Sequence, residues 1–191
     1  MSKTPRKDGT KPGSNRRAGS FAVLEPAFFN RPAEEVARDL LGRALVRSNG
    51  RASEALIITE TEGYLGPHDL ACHSARGRTP RTEVMFGPPG TLYIYLVYGL
   101  HLMLNVVTGG PAGCGSAVLI RGAGNAQGPG RLGRALALTL DLNGKATTPE
   151  TGLWFEERDV LPGRIIAGPR IGVDYAGPKW SQRKLRFILR R

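Results

Sequence analysis

The feature that most constrains this chain is a succession of short, strand-like apolar runs cut apart by glycine, proline and asparagine. "EALIITETEGYLG", "TLYIYLVY", "HLMLNVVT" and "SAVLIRGA" are rich in β-branched and aromatic residues, which suit a pleated, half-buried surface. Asn49-Gly50 before the first run and Gly99-Leu100 between the second and third are turn signals of the hairpin kind. "GLWFEE", "GRIIAGPRIGV" and "LRFIL" add three more strand-like pieces near the C-terminus. Helical periodicity is scarce. "NRPAEEVARDLLGR" reads as one helix, with Asn30 as cap, Pro32 in the first turn, Val36, Leu40 and Leu41 on one face and Gly42 as the stop. "NAQGPGRLGRALALTLDL" turns from a glycine-rich loop into a second helix. Many strands with few helices imply an α+β (mixed α/β) fold, one domain around a curved antiparallel sheet with flanking helices.

Charge divides the chain. Its 191 residues carry a formal +11. The opening "MSKTPRKDGTKPGSNRRAGS" contributes +5 and too little apolar surface to build a core, so residues 1–20 read as a disordered basic arm and 21–191 as the folded domain. "KWSQRKLRFILRR" ends the chain with a second acid-free basic cluster. Such charge draws polyanions, nucleic acid above all. No apolar run approaches the length of a membrane span, and no hydrophobic segment follows the basic start, so a cytoplasmic protein without a membrane partner is expected. Cys72 and Cys114 are the only cysteines and form no ligand spacing, which predicts neither a disulfide framework nor a metal site.

Chemistry concentrates in "IITETEGYLGPHDLACHS". On a strand, Glu60, Glu62 and Tyr64 share one side. A glutamate beside such an apolar run is desolvated if buried, which suits acid–base work, but periodicity alone does not choose between Glu60 and Glu62. Tyr93 and Tyr95 fall on one face of the next strand, and Tyr98 stands at its end before Gly99, where an exposed ring can wedge into a duplex. Arg76, Arg78 and Arg81 lie in the turn-rich stretch 75–90, and Arg131 and Arg134 follow the glycines of "GPGRLGR". No lysine lies between Arg51 and Arg121, which weighs against a Schiff-base mechanism.

"TETEGYLGPHDLACHS", "PRTEVMFGPPGTLYIYLVYGLHLMLNVVT", "AVLIRGA", "GPGRLGRALAL", "GPRIGVDYAG" and "LRF" together resemble the motifs of the alkyladenine (3-methyladenine) DNA glycosylases, over roughly residues 28–187. The resemblance implies base-excision repair: an alkylated or deaminated purine, of the 3-methyladenine, hypoxanthine and ethenoadenine class, is flipped out of double-stranded DNA. Its N-glycosidic bond is then hydrolysed without metal or organic cofactor. It assigns Glu62 as the base that activates water, with Arg121 beside that water and Glu60 given no chemical role. Tyr64 and Tyr95 would sandwich the flipped base, His73 contact it, Asn105 reject normal purines, and Tyr98 fill the gap in the duplex. Arg76, Arg78, Arg81 and Arg131 are expected on the DNA backbone, and a monomer suffices for scanning. The sequence departs from the family between Arg121 and the "GPG" loop, where only "RGAGNAQGPGRL" remains of a usually longer segment. The competing expectation is a non-catalytic module that binds damaged DNA or other nucleic acid with the same sheet and basic face.

Overall fold

A computed structural model describes residues 21–109, 114–158 and 163–190; the N-terminal arm expected at 1–20 lies outside them. The elements run α1 (Pro26–Phe29), α2 (Ala33–Asp39), β1 (Ala44–Ser48), β2 (Ser53–Tyr64), β3 (Leu92–Val97), β4 (His101–Thr108), β5 (Ser116–Ala123), β6 (Ala126–Gln127), α3 (Pro129–Ala135), β7 (Leu153–Glu156), β8 (Arg164–Gly168), α4 (Pro178–Ser181) and β9 (Arg186–Arg190). Among the described residues this is a mostly antiparallel sheet of nine strands with short flanking helices, the α+β class that the strand-like runs predict.

The sheet path is β3-β4-β5-β2-β1-β7, with β9 also joined to β2 and β8 to β9. Strand β2 is the hinge of this arrangement. Its first half pairs with β1 across the hairpin at Asn49-Gly50, where the Asn49 side chain accepts from the N–H groups of Arg51 and Ala52. Its second half leaves β1 and lies between β5 and β9, after register shifts around Glu60 that mark a bulge. That change of partners surrounds the carboxylate end of β2 with strands on both edges.

Helix α2 lies against β2 and β5 and buries Val36 and Ala37, with Leu40 and Leu41 just beyond its end, in the main core with Phe29, Ile58, Leu104, Ile120, Phe155 and Phe187. The helix begins later than the sequence suggests. Asn30 is not its cap: it closes the separate turn of α1, and Pro32 takes the N-cap position of α2 without a side-chain hydrogen bond. Pro26 and the Phe29 ring account for the difference, since Pro26 starts a turn that buries Phe29 before α2 begins. Gly42 does end the segment, with φ 85° and its N–H donated to the Ile58 carbonyl. The second helix is also shorter than "GPGRLGRALALTLDL" suggests; α3 stops at Ala135, and Ala137 takes a left-handed φ of 46°.

Candidate active site

One cavity of about 550 Å³ opens beside the end of β2. Strand β2 supplies Tyr64, β3 supplies Tyr93 and Tyr95, β4 supplies Asn105 and Met103, and β5 supplies Leu119 and Arg121. The remaining walls come from the loops around His73, Arg81 and Ile171. Alternation along β2 holds as expected: Glu60, Glu62 and Tyr64 share a side, because Arg121 reaches both carboxylates and Tyr64 touches Glu62.

The two glutamates differ in what surrounds them. Glu62 is 0% exposed. Its Oε1 accepts the Ile171 N–H at 2.8 Å and lies 3.3 Å from Nη1 of Arg121, while Oε2 accepts the Tyr64 hydroxyl at 2.9 Å. Glu60 accepts Nε of Arg121 at 2.9 Å and Nη1 of Arg186 at 3.4 Å, so two arginines neutralise it at the sheet's side. Burial pushes the Glu62 carboxyl above its usual range, opposed by Arg121, the Ile171 N–H and the Tyr64 hydroxyl, and reinforced by nearby Glu60. Three of the groups that touch Glu62, namely Tyr64, Arg121 and Ile171, themselves line the cavity. A desolvated carboxyl whose charged form is favoured by a guanidinium can act as a proton acceptor, here directly behind the residues that line the cavity.

The cavity also has an aromatic wall. Tyr93 and Tyr95 lie 5.2 Å apart, and His73 stands edge-on to Tyr95 at 4.7 Å. His73 Nδ1 is 2.9 Å from the Tyr93 hydroxyl. Burial, with the charges of Arg81 and Arg76, lowers the His73 pKa to about 4, so the imidazole is neutral at physiological pH. Asn105 is buried and donates its amide to the Tyr93 carbonyl at 3.0 Å, which fixes the orientation of its side chain in the cavity. Thus Tyr93, to which the sequence gives no role, organises two of the expected substrate contacts.

Tyr98 stands at the cavity's rim, on the turn between β3 and β4, 91% exposed. It and Gly99 have φ of 51° and 68°, and Leu100 N–H closes the turn on the Val97 carbonyl at 3.0 Å. Two successive left-handed residues are the signature of a tight hairpin turn, and a tyrosine there costs on the order of 1 kcal/mol relative to glycine. A large ring held in a strained, solvated position is a functional candidate rather than a core residue.

The four arginines expected on the DNA backbone separate. Arg81 lines the cavity with its guanidinium 5.0 Å from the centre of the Tyr95 ring. Arg78 pairs with Glu83 and covers Phe86. Arg76 closes the turn after His73, and Arg131 is exposed on α3. Sequence reading missed Asp69 and Arg170, a fully buried ion pair between the loop after β2 and the "GPRIGV" turn. It also missed Tyr175 at the cavity edge. Only the quoted motif "GPRIGVDYAG" hinted at them. Among the described residues no group of three or more His, Cys, Asp or Glu side chains is placed to hold a metal ion, and no helix is long and apolar enough to cross a membrane.

Comparison with known proteins sharpens the picture. The model of the family described as methylpurine-DNA glycosylase matches residues 27–127 and 123–191. Its two stretches overlap at residues 123–127, around the short β5–β6 turn. A protein of Myxococcus xanthus (strain DK1622) named "Putative 3-methyladenine DNA glycosylase" is 45% identical over 176 residues, 87% of this chain and 90% of its own. Bearers of the same name are 44% identical in Methanocella arvoryzae (81% of this chain, 86% of theirs) and 42% identical in Legionella pneumophila (strain Paris; 88% and 94%).

Proposed function

The chain belongs to the methylpurine-DNA glycosylase family, and from that premise we propose that it excises alkylated or deaminated purines from double-stranded DNA, with Glu62 as the base that activates water. The observation that carries the reading is the Glu62 carboxylate, fully buried, held between Arg121, the Ile171 N–H and the Tyr64 hydroxyl against an aromatic cavity.

A base stacked in a duplex is out of reach of such a site, so the nucleotide must be extruded at a cost of about a few kcal/mol, least for damaged or mispaired bases. Tyr98 fills the vacated space and slows the base's return. The extruded purine enters between Tyr64 and Tyr95, where a cationic alkylpurine gains a further cation–π attraction of about 1 kcal/mol. His73, neutral, meets the polar edge of the purine. Asn105, its amide held by the Tyr93 carbonyl, disfavours guanine by opposing the exocyclic amino group at the purine 2-position. The C1′–N9 bond then breaks and its electron pair leaves with the base. The sugar passes through an oxocarbenium-like state that the Glu62 carboxylate stabilises. Water adds to C1′ on the face opposite the base and gives its proton to Glu62, leaving an abasic site. Among the described residues no lysine lines the cavity, which supports hydrolysis rather than an imine with the sugar. In this reading Arg81, whose guanidinium lies beside the Tyr95 ring, meets the phosphate of the extruded nucleotide.

The test is a single-turnover assay in EDTA on duplexes carrying one hypoxanthine, ethenoadenine or 3-methyladenine, with an undamaged duplex as control. Release of free damaged base, leaving alkali-labile strands, is the expected result. Tight binding to lesion duplexes without release of any base would instead support a non-catalytic damaged-DNA binder.

A further inference from the structure

Asp69 and Arg170 lie 101 residues apart in sequence and are both fully buried. Nη2 of Arg170 donates to Asp69 Oδ1 at 2.9 Å and Nη1 to Oδ2, the two-pronged geometry that a planar guanidinium favours. Nη1 also donates to the Gly63 carbonyl at 3.0 Å, the peptide between Glu62 and Tyr64. The guanidinium carbon lies 4.7 Å from the centre of the Tyr64 ring. The next residue along the chain is Ile171, whose N–H caps Glu62. Asp69 in turn accepts the N–H groups of Leu65 and Ala71, each at 3.1 Å, which closes the loop after β2 around the pair. The Tyr175 hydroxyl, donating to the Ala71 carbonyl at 3.0 Å, ties the same two segments a second time.

A buried ion pair is a poor device for stability, because desolvation consumes most of its Coulombic gain. Here the Arg170 Nε–H is also buried without a partner among the described residues, a further cost. What the pair does well is fix geometry. We infer that Arg170, locked to Asp69, is a positioning residue for excision: it holds the turn that presents the Ile171 N–H to Glu62 and backs the ring of Tyr64, so one ion pair sets both the carboxylate and the stacking surface. The inference rests on the reading of Glu62 as the base.

The charged and titratable groups facing Glu62 are Arg121 and Glu60 from the sheet, the hydroxyls of Tyr64 and Tyr95, and Arg170 beyond the Tyr64 ring. A lysine in place of Arg170 keeps the charge but loses the fork and the flat face. Any change it makes in the ionisation of Glu62 must therefore come through the displaced Ile171 N–H or Tyr64 hydroxyl rather than through lost charge.

The experiment compares wild type and Arg170→Lys by single-turnover excision from a hypoxanthine duplex between about pH 5 and 9, with the Kd for that duplex measured alongside. The expected rate loss is about 10- to 100-fold near pH 7, as for other misplacements of about 1 Å in an active site. The acidic limb of the rate profile should move to higher pH by about one unit, the worth of one weakened hydrogen bond to a charged group. The Kd should stay within about threefold. A rate loss with an unmoved acidic limb, a loss that only tracks Kd, or an unchanged rate would each overturn the inference. Failure of wild type itself to excise would instead defeat the proposed function. If Arg170→Lys does not fold, Asp69→Asn, which keeps the shape of the pair and removes its acidic partner, is read on the same limb by the same criteria.

Discussion

Replacing Arg121 by glutamine removes the one guanidinium shared by Glu60 and Glu62. Its Nη1 sits 3.3 Å from the Glu62 carboxylate, and both side chains are at least nine-tenths buried. At an effective dielectric of about 20 that separation is worth about 5 kcal/mol of gross attraction, and breaking a buried pair by removing one partner costs about 3–5 kcal/mol. Glu60 keeps Arg186 at 3.4 Å, so the loss falls mainly on Glu62. That carboxyl, already raised by burial, would hold its proton to still higher pH. A group whose folded pKa is raised adds stability below its unfolded value and loses it as pH rises through the folded one. The deficit of Arg121→Gln relative to wild type should therefore grow with pH. Urea unfolding near pH 5 and pH 8 measures this, with an expected increase of at least about 1 kcal/mol between the two. Single-turnover excision near pH 7 should fall by about 10²- to 10³-fold, because a protonated Glu62 neither takes the proton of water nor stabilises the cationic sugar. An equal stability deficit at both pH values, or a rate within about tenfold of wild type, would refute the electrostatic account of this site.

Three other perturbations probe separate parts of the structure. Tyr98→Gly should leave unfolding free energy unchanged or raised by up to about 1 kcal/mol, because the residue is exposed at φ 51°. It should slow excision from duplex but not from single-stranded DNA. His73 has a pKa of about 4, so His73→Gln should lower the excision rate without moving the acidic limb of the pH profile above pH 5. Gly133→Ala would drive a Cβ into the Leu102 carbonyl, where α3 meets β4. A loss of about 2 kcal/mol or more in chemical denaturation is expected from that overpacking.

Much of this was legible in the chain because it is local. The alternation of Glu60, Glu62 and Tyr64 survives the bulge in β2, and the hairpins after β1 and β3 turn on Gly50 and Gly99, glycines that accept left-handed backbone at φ 84° and 68°. What stayed hidden depends on contacts remote in sequence. Period places Glu60 and Glu62 alike. Glu62 is sealed by the turn at Ile171, while Glu60 is met by Arg186 of β9, both more than 100 residues away. Asp69 and Arg170 read as one loop acid and one loop base until the fold buries them together. Asn30 looked like a helix cap because the sequence does not reveal that Pro26 opens a separate turn to bury Phe29. The resemblance to a family chose Glu62 over Glu60; the buried geometry around Glu62 now supplies a physical reason for that choice.

The central claim is that Glu62 is the base, and Glu62→Gln tests it most directly. Glutamine keeps the size of the side chain and an oxygen for the Ile171 N–H, but it cannot take a proton from water. Binding to a hypoxanthine duplex and single-turnover base release should be measured on the same samples of variant and wild type. The account predicts a Kd within about threefold of wild type and a rate at least about 10³-fold lower. A variant that releases the base within about tenfold of the wild-type rate would contradict it, whatever else the cavity does.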